Sequence, residues 1–485
     1  MKTPVASAPL SIHSHRHGEV AAELSARQKS MAFFTLLTAL ALEIIDLTIV
    51  NTVLPAIEHD LKAGSAQSQW VIAAYSLSFA VLLILGGRLG DLFGGRRMFL
   101  LGVGGFTASS LLCGLAATPH HLIAARAMQG TTGAMMAPQV MTMIQLLYDP
   151  VERIGRIAWF GVVGGLSAIV GPLLGGVLIA LNLFGLGWRA VFLLNVPIGL
   201  MAVLAGIALL PRAEPHPDRR IDLVGTALFG AGLFAFLFPM IQEKRHGFGT
   251  SMAGWWLAAL GLAGAGLIHQ HRRLRKRQAT VIEPGMFAND TFRLGVLISL
   301  SFSAANTGFL FVFAYALQRE LAFSALQTGL LHVPFSAGVM FSMAFLVRRF
   351  LARYGRLVLI VGAIIMGAGC MGILGWIALG AVRPVLLIPV LLLAGVGMGL
   401  VSGPLGAVSV ARVERQQAGS ASGIIKTVQQ MGGALGIALV GSAYLQSAPS
   451  GRGEAAALAA MLALLALCLL WAVRLPTEIF PRQAG

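Results

Sequence analysis

The sequence predicts an all-α protein that crosses a lipid bilayer many times. Three observations lead there. Charged residues make up 11% of the 485-residue chain and hydrophobic residues 57%, whereas soluble domains carry about 25% charge. Those few charges gather in short clusters between apolar runs close to the roughly 20 residues that cross hydrocarbon as a helix. The basic residues, finally, fall mostly in alternate loops between the runs, the bias that orients helices in a membrane.

Taken in order, the runs predict fourteen spans at 31–55, 69–87, 98–117, 122–147, 157–181, 190–210, 222–242, 253–270, 292–316, 326–347, 357–379, 384–409, 420–445 and 455–473. Residues 1–30 lack the apolar core of a signal peptide and read as a cytoplasmic tail. The HSHRH run at 13–17 offers metal-ligating side chains. No second ligand cluster joins it, so it reads as part of a solvated tail. Residues 31–210 then form a six-helix bundle, 211–291 a linker with two extra membrane helices, 292–473 a second six-helix bundle and 474–485 a second cytoplasmic tail.

With the N-terminus inside, one set of loops holds Arg88, Arg96 and Arg97, then Arg153 and Arg156, then Arg212, Arg219 and Arg220. It continues with Arg272, Arg273, Arg275, Lys276 and Arg277, then Arg348, Arg349, Arg353 and Arg356, and Arg412 and Arg415. The opposite set holds only Lys62, Arg189, Lys244, Arg245, Arg319, Arg383 and Arg452. Both termini are therefore expected in the cytoplasm. The same asymmetry explains the net charge of +16 without a nucleic-acid partner. HRRLRKR at 271–277 reads as a topology signal that also suits acidic lipid headgroups. Cys113, Cys370 and Cys468 stand alone in apolar runs, with neither disulfide nor metal-ligand spacing.

A few ionisable residues interrupt the spans. Glu43 and Asp46, three apart, share one face of the first helix. Ionising both in hydrocarbon is costly, and a like-charged neighbour raises the cost, so at least one is expected to carry a proton part of the time. Arg126, inside the fourth span, calls for a partner or water. Lys426, in GIIKTVQQMGGALG on the thirteenth span, suits either countering a cavity acid or recognising an anionic group, unless it snorkels to the headgroups. His332, before Pro334, reads as a satisfied polar contact. Asn51, Tyr75, Gln129, Asn306, Phe309, Phe313 and Gln430 are candidate cavity liners, with Trp70, Phe79, Tyr315 and Phe335 beside them. Glycines at 161, 165, 171 and 175 give small-xxx-small spacing for close helix approach, and Pro172 bends the same helix. Further ladders run through Gly395, Gly399 and Gly403, and through Gly432 and Gly436.

Six of these stretches resemble a known family. GGRLGDLFGGRR (86–97) is similar to the loop signature of major facilitator transporters, LIAARAMQGTTGA (122–134) to their fourth-helix motif and GVVGGLSAIVGPLLGG (161–176) to their fifth-helix antiporter motif. IDLTIVNTVLP (45–55), QWVIAAYSL (69–77) and WRAVFLLNVPIG (188–199) resemble signatures of the fourteen-span drug:proton antiporter branch. The resemblance implies the major facilitator fold, two six-helix bundles around a central cavity. It also implies a proton-driven multidrug exporter of small amphipathic compounds in the inner membrane. Asp46 matches the first-helix motif and is the implied proton-coupling site; Glu43 does not match it, and reads as a second proton-coupling acid, a contact for a substrate cation or a residue that tunes Asp46. Arg126 is implied to couple to protonation, and Asp91 with Arg96 and Arg97 to latch one access state. Leu92 and Gly95 replace residues that are often basic there, so the latch is expected either to be weaker or to rely on Arg88. Gly171, Pro172, Gly175 and Gly176 carry the exporter motif.

No catalytic constellation and no metal or cofactor site is expected, the proton gradient being the energy source. A periplasmic adaptor is the partner such exporters can use in double-membraned bacteria. The alternatives are a proton-driven exporter of one endogenous metabolite, a symporter, which the fifth-helix motif opposes, and a non-transporting receptor, which needs no acid pair.

Overall fold

In hydrocarbon every backbone N–H and C=O must be paired within its own segment, so each apolar run becomes a helix. The computed structural model describes residues 25–211, 222–242, 250–276, 278, 284–378, 383–413 and 418–476. The HSHRH run and Arg212, Arg219, Arg220, Lys244, Arg245, Arg277 and Arg415 lie outside the described residues, as do most of both tails.

The first bundle comprises α1 (Ala26–Leu61), α2 (Ser65–Phe93), α3 (Gly95–Gly114), α4 (Pro119–Leu147), α5 (Pro150–Leu181) and α6 (Arg189–Leu209). A hairpin of α7 (Leu223–Gln242) and α8 (Thr250–Arg275) follows. The second bundle comprises α9 (Asp290–Arg319), α10 (Ala325–Phe341, continued through a π-helical turn at Ser342–Val347 into Arg348–Tyr354), α11 (Arg356–Ala378) and α12 (Pro384–Val410). It closes with α13 (Ala418–Gly436, with a π-helical turn at Ile437–Gly441 and a last segment Ser442–Ser447) and α14 (Gly453–Val473). Several helices run longer than the apolar runs because polar caps extend them beyond the hydrocarbon. Ser25 accepts from the Gln28 amide while the Gln28 side chain accepts from the Ser25 amide, 3.3 and 2.9 Å, a reciprocal cap.

Thirteen of these helices are apolar enough to cross a membrane on composition alone. The exception, α4, is 29 residues long and carries Arg126, Gln129 and Gln139, each buried. Its polar groups face protein, which reconciles its length with its weak hydropathy.

Within the first bundle α4 packs against α2 and α3, and α1 against α5, α6 and α4. In the second, α9 packs on α13, α14 and α12, and α12 on α10 and α11. The bundles meet mainly along α5 with α10 and α2 with α13. Lipid supplies no hydrophobic drive between helices, so close backbone approach must do it. At Gly130 a Cβ would sit 2.3 Å from the Tyr75 carbonyl, and at Gly436 one would sit 2.0 Å from the Ala304 carbonyl. The hairpin joins α2 through Trp70, whose ring lies 5.7 and 6.1 Å from Phe234 and Phe238. Asp222 ties the hairpin together, accepting from the Gly225 amide at 2.8 Å and facing His269 at 2.9 Å and Arg273 at 3.5 Å.

The two bundles repeat one device. A single positive-φ glycine turns α2 into α3 (Gly94, φ 89°) and α10 into α11 (Gly355, φ 51°), conformations that side chains with a Cβ rarely adopt. An arginine just beyond each turn caps the last helix of its own bundle. Arg96 donates to the Ile207 carbonyl on α6, and Arg356 donates to the Val473 and Leu475 carbonyls at the end of α14, 2.7 and 2.6 Å.

Replacing Gly130 by valine is expected to lower unfolding stability by about 1–3 kcal/mol, the usual range for overpacking. Gly264→Ala, where an added Cβ meets nothing within 4 Å, should leave the melting temperature in detergent unchanged. Equal melting of both variants would refute the α2–α4 contact.

Candidate functional site

The centre of the first bundle is built around Asp46, which is 0% exposed. A bare carboxylate there would be prohibitively desolvated. Each oxygen is instead engaged. Arg126 Nη1 on α4 lies 2.5 Å from Asp46 Oδ2. Gln129 Nε2, also on α4, and Asn195 Nδ2 on α6 donate to Oδ1 at 2.8 and 3.0 Å. The same two amides donate to Ser110 Oγ on α3, at 2.7 and 3.3 Å. Arg126 is held from three more directions. Its Nη1 donates to Gln129 Oε1 at 2.6 Å, its Nε to the Val71 carbonyl on α2 at 3.1 Å, and its guanidinium covers the Tyr75 ring at 4.5 Å. One ion pair thus gathers five of the six helices of the bundle.

Glu43 lies one turn earlier and faces elsewhere. Its Oε1 is 3.2 Å from Lys426 Nζ on α13, in the other bundle. Its Oε2 is buried without a hydrogen-bond partner. The Lys426 ammonium also sits 5.4 Å from the Phe79 ring, which stacks on Tyr75 at 5.9 Å.

The fifth-helix motif forms two seams from neighbouring residues. A Cβ at Gly171 would lie 2.0 Å from Thr48 Oγ1 and one at Gly175 2.9 Å from Ile49, both on α1. Gly176 turns the other way, where a Cβ would lie 2.6 Å from the Ala325 carbonyl of α10. The Pro172 carbonyl packs on Gly329 of α10. Contact with α1 just past Asp46 and contact with the opposite bundle are therefore adjacent on one helix.

Three polar contacts tie the bundles at the end bearing the α1–α2 loop. Arg319 reaches Glu58 at 3.5 Å, Gln318 donates to the Thr52 carbonyl at 2.8 Å, and Ser442 donates to Gln69 at 3.1 Å. At the α2–α3 turn Asp91 is half-buried and Arg97 exposed, while Arg96 is spent on the end of α6 within its own bundle.

The remaining sequence-predicted residues are dispersed. Gln129 belongs to the Asp46 network. Asn51 is buried and Asn306 half-buried, each with a side-chain oxygen that lacks a partner, and Gln430 is half-buried. Phe309 and Phe313 stack at 5.6 Å and are enclosed between α9 and α10, with Phe335 at 5.9 Å from Phe309. His332 lies 5.0 Å from Phe313, and its Nδ1 is 2.9 Å from the Thr328 carbonyl, the satisfied contact expected. Trp70 faces the α7–α8 hairpin rather than the space between bundles. The three cysteines are free and buried; Cys113 touches the Asp46 network through Gln129 at 3.7 Å.

Sequence reasoning missed Asn195 and Ser110. Asn195 does lie inside WRAVFLLNVPIG, and a second part of that stretch also holds α1. Trp188 Nε1 and Arg189 Nη1 donate to Asp60 Oδ2 at 3.0 and 2.6 Å. The signature is therefore a pair of clamps on α1, one at its centre and one at its end.

A fold of two six-helix bundles with a polar core on the first helix and a paired-glycine seam defines a polytopic membrane transporter. The chain belongs to the Major Facilitator Superfamily, whose family model matches residues 36–437 and 295–483. It is 35% identical over 420 residues to the probable actinorhodin transporter of Streptomyces coelicolor, covering 85% of this chain and 72% of that one. It is 36% identical over 413 residues to the puromycin resistance protein of Streptomyces alboniger (84% and 80% covered). The cephamycin export protein of Amycolatopsis lactamdurans is 35% identical over 420 residues (83% and 82% covered). Among solved structures, a bacterial homologue of the lysosomal transporter Spinster, inward-facing and unoccupied, superposes with a TM-score of 0.65 at 16% identity, covering 95% of this chain and 100% of that one. A peptide transporter of the POT family gives a TM-score of 0.68 at 16% identity, with 94% and 99% covered. The protein is a multi-pass membrane transporter of small molecules and not an enzyme.

Removing one partner of a buried, hydrogen-bonded ion pair typically costs about 3–5 kcal/mol. Asp46→Asn and Arg126→Gln are each expected to lower stability in detergent on that scale, and the double variant by clearly less than the sum. Additive losses in a thermal double-mutant cycle would refute the coupling.

Proposed function

We propose that this transporter exports small amphipathic compounds, antibiotics among them, across the cytoplasmic membrane in exchange for protons. The observation that carries the reading is the fully buried Asp46–Arg126 pair at the middle of α1. Protonating Asp46 removes one charge of the pair and leaves Arg126 uncompensated, so the network must rearrange. α1 is in contact with α5 through Thr48 and Gly171, and α5 with the second bundle through Gly176. A change at Asp46 therefore has a short packed route to the interface that alternating access must remodel.

The basic-residue asymmetry supports an orientation with both termini in the cytoplasm. In that orientation the Glu58–Arg319, Thr52–Gln318 and Gln69–Ser442 contacts close the outer end. The relatives named for resistance to puromycin and export of cephamycin support outward transport, beside one named a probable actinorhodin transporter. Two of those names pair a transporter with one natural product, which supports the narrower reading, export of a single endogenous metabolite. No cofactor enters the cycle; the proton gradient supplies the energy. Arg126 senses the state of Asp46, and Asp91 with Arg97 and Arg88 acts at the inner turn, with Arg96 bracing α6.

In everted vesicles holding a proton gradient, adding a transported compound should release protons from the lumen, and Asp46→Asn should reduce that release at least about tenfold, as loss of a proton-transfer group does. Wild-type release by Asp46→Asn would sink the coupling assignment. Uphill entry of substrate into intact cells would reverse the direction. Resistance across many unrelated amphipaths on overexpression, as opposed to one compound, separates broad from narrow export.

A further inference from the structure

The Glu43–Lys426 pair has no place in the proton cycle above, and its geometry differs from that of Asp46–Arg126 in three ways. It joins opposite bundles, α1 to α13. It is thinly held: Glu43 Oε1 has one partner, and Oε2, though buried, has none. Its two ends also differ in access, the Glu43 side chain being 4% exposed and that of Lys426 38%. The ammonium is thus the accessible end of the pair and the carboxylate the enclosed one.

We propose that Lys426 recognises an acidic group, a carboxylate or phenolate, on an amphipathic substrate, and that Glu43 is the internal counter-ion this group displaces. A carboxylate so buried cannot remain ionised once its cation is shared away. As the substrate anion takes the place of Glu43 at Nζ, one proton passes from solvent to Glu43, and the net charge of the site stays zero. Among the described residues, Tyr75 on α2 lies within electrostatic reach of Glu43, Asp46 and Arg126 alike. Arg126 is committed to Asp46, so it does not replace Lys426 as a partner. The Phe79 ring under the ammonium keeps Lys426 at this depth, whereas a free lysine would snorkel toward the headgroups. A cationic substrate would have to reach Glu43 past Lys426, which is why the anion is the class this site takes.

The inference rests on the transport of small molecules, but its test needs no gradient, so it fails independently of the export reading. Three probes with one naphthalene body are titrated into the purified full-length protein in detergent: the carboxylate, its methyl ester and a trimethylammonium derivative. Calorimetry in two buffers of different ionisation enthalpy counts protons taken up. Wild-type protein should bind the carboxylate about tenfold or more tightly than the ester, the scale of one charge-assisted hydrogen bond, with about one proton taken up per molecule bound. Lys426→Met should abolish the preference while ester binding, which reports folded protein, persists; Lys426→Arg should restore it. Glu43→Gln should bind the carboxylate at least as tightly with no proton uptake. Lack of carboxylate preference in the wild type, preference for the cation, or an unchanged preference in Lys426→Met would each overturn the assignment.

Discussion

The buried ion pair between Asp46 and Arg126 is the constraint around which the first bundle is arranged. Two full charges in hydrocarbon are tolerated only when geometry and hydrogen bonding offset their desolvation. That requirement reaches outward through Gln129, Asn195, Ser110 and the Val71 carbonyl, fixing α3, α4, α6 and α2 around α1. It also explains why α4 lacks the long apolar stretch that the other thirteen helices carry. Its polar face is needed at the centre, and packing on all sides keeps that face away from lipid.

Around this rigid centre the contacts become deliberately close and deliberately small. The Gly171–Thr48 and Gly176–Ala325 approaches leave no room for a side chain, so α5 is coupled by backbone to both its neighbours. Cores built from close-packed small residues do not deform gradually; they shift between alternative packings. A bundle centred on an ionisable pair and bounded by such seams has the two ingredients of a switch: a charge that can be cancelled and an interface with discrete positions. Of the polar ties at the α1–α2 end, Glu58–Arg319 is long and partly exposed, whereas Gln69–Ser442 is buried.

Much of this was legible in the sequence, for physical reasons that differ by element. The helices were legible because hydrocarbon allows the backbone so few options. Asp46, Arg126 and the Gly-Pro helix could be singled out because charge and small-residue spacing are costly or conspicuous in apolar runs. Partnerships were not legible. Asn195 meets Asp46 across 149 residues and Lys426 meets Glu43 across 383, and nothing local encodes which polar residue finds which. Arg96 shows the same limit. Its type and its place beside the turn are plain in the sequence, but the partner it donates to, the Ile207 carbonyl near the end of α6, is not. Aromatic residues were the least informative, since Trp70 facing the hairpin and Phe309 facing α10 share the same local composition as any cavity liner.

The matched glycine turns at Gly94 and Gly355, each followed by an arginine gripping the final helix of its bundle, are the signature of one six-helix unit present twice. The copies have since specialised. Among the described residues of the two bundles, the buried charges Glu43, Asp46 and Arg126 all lie in the first copy, and the second contributes aromatic stacks, π-helical turns and, at its border, the cations Lys426 and Arg319. The costly charges of the membrane interior are thereby concentrated in one half of a repeated architecture, and the other half repacks through apolar contacts.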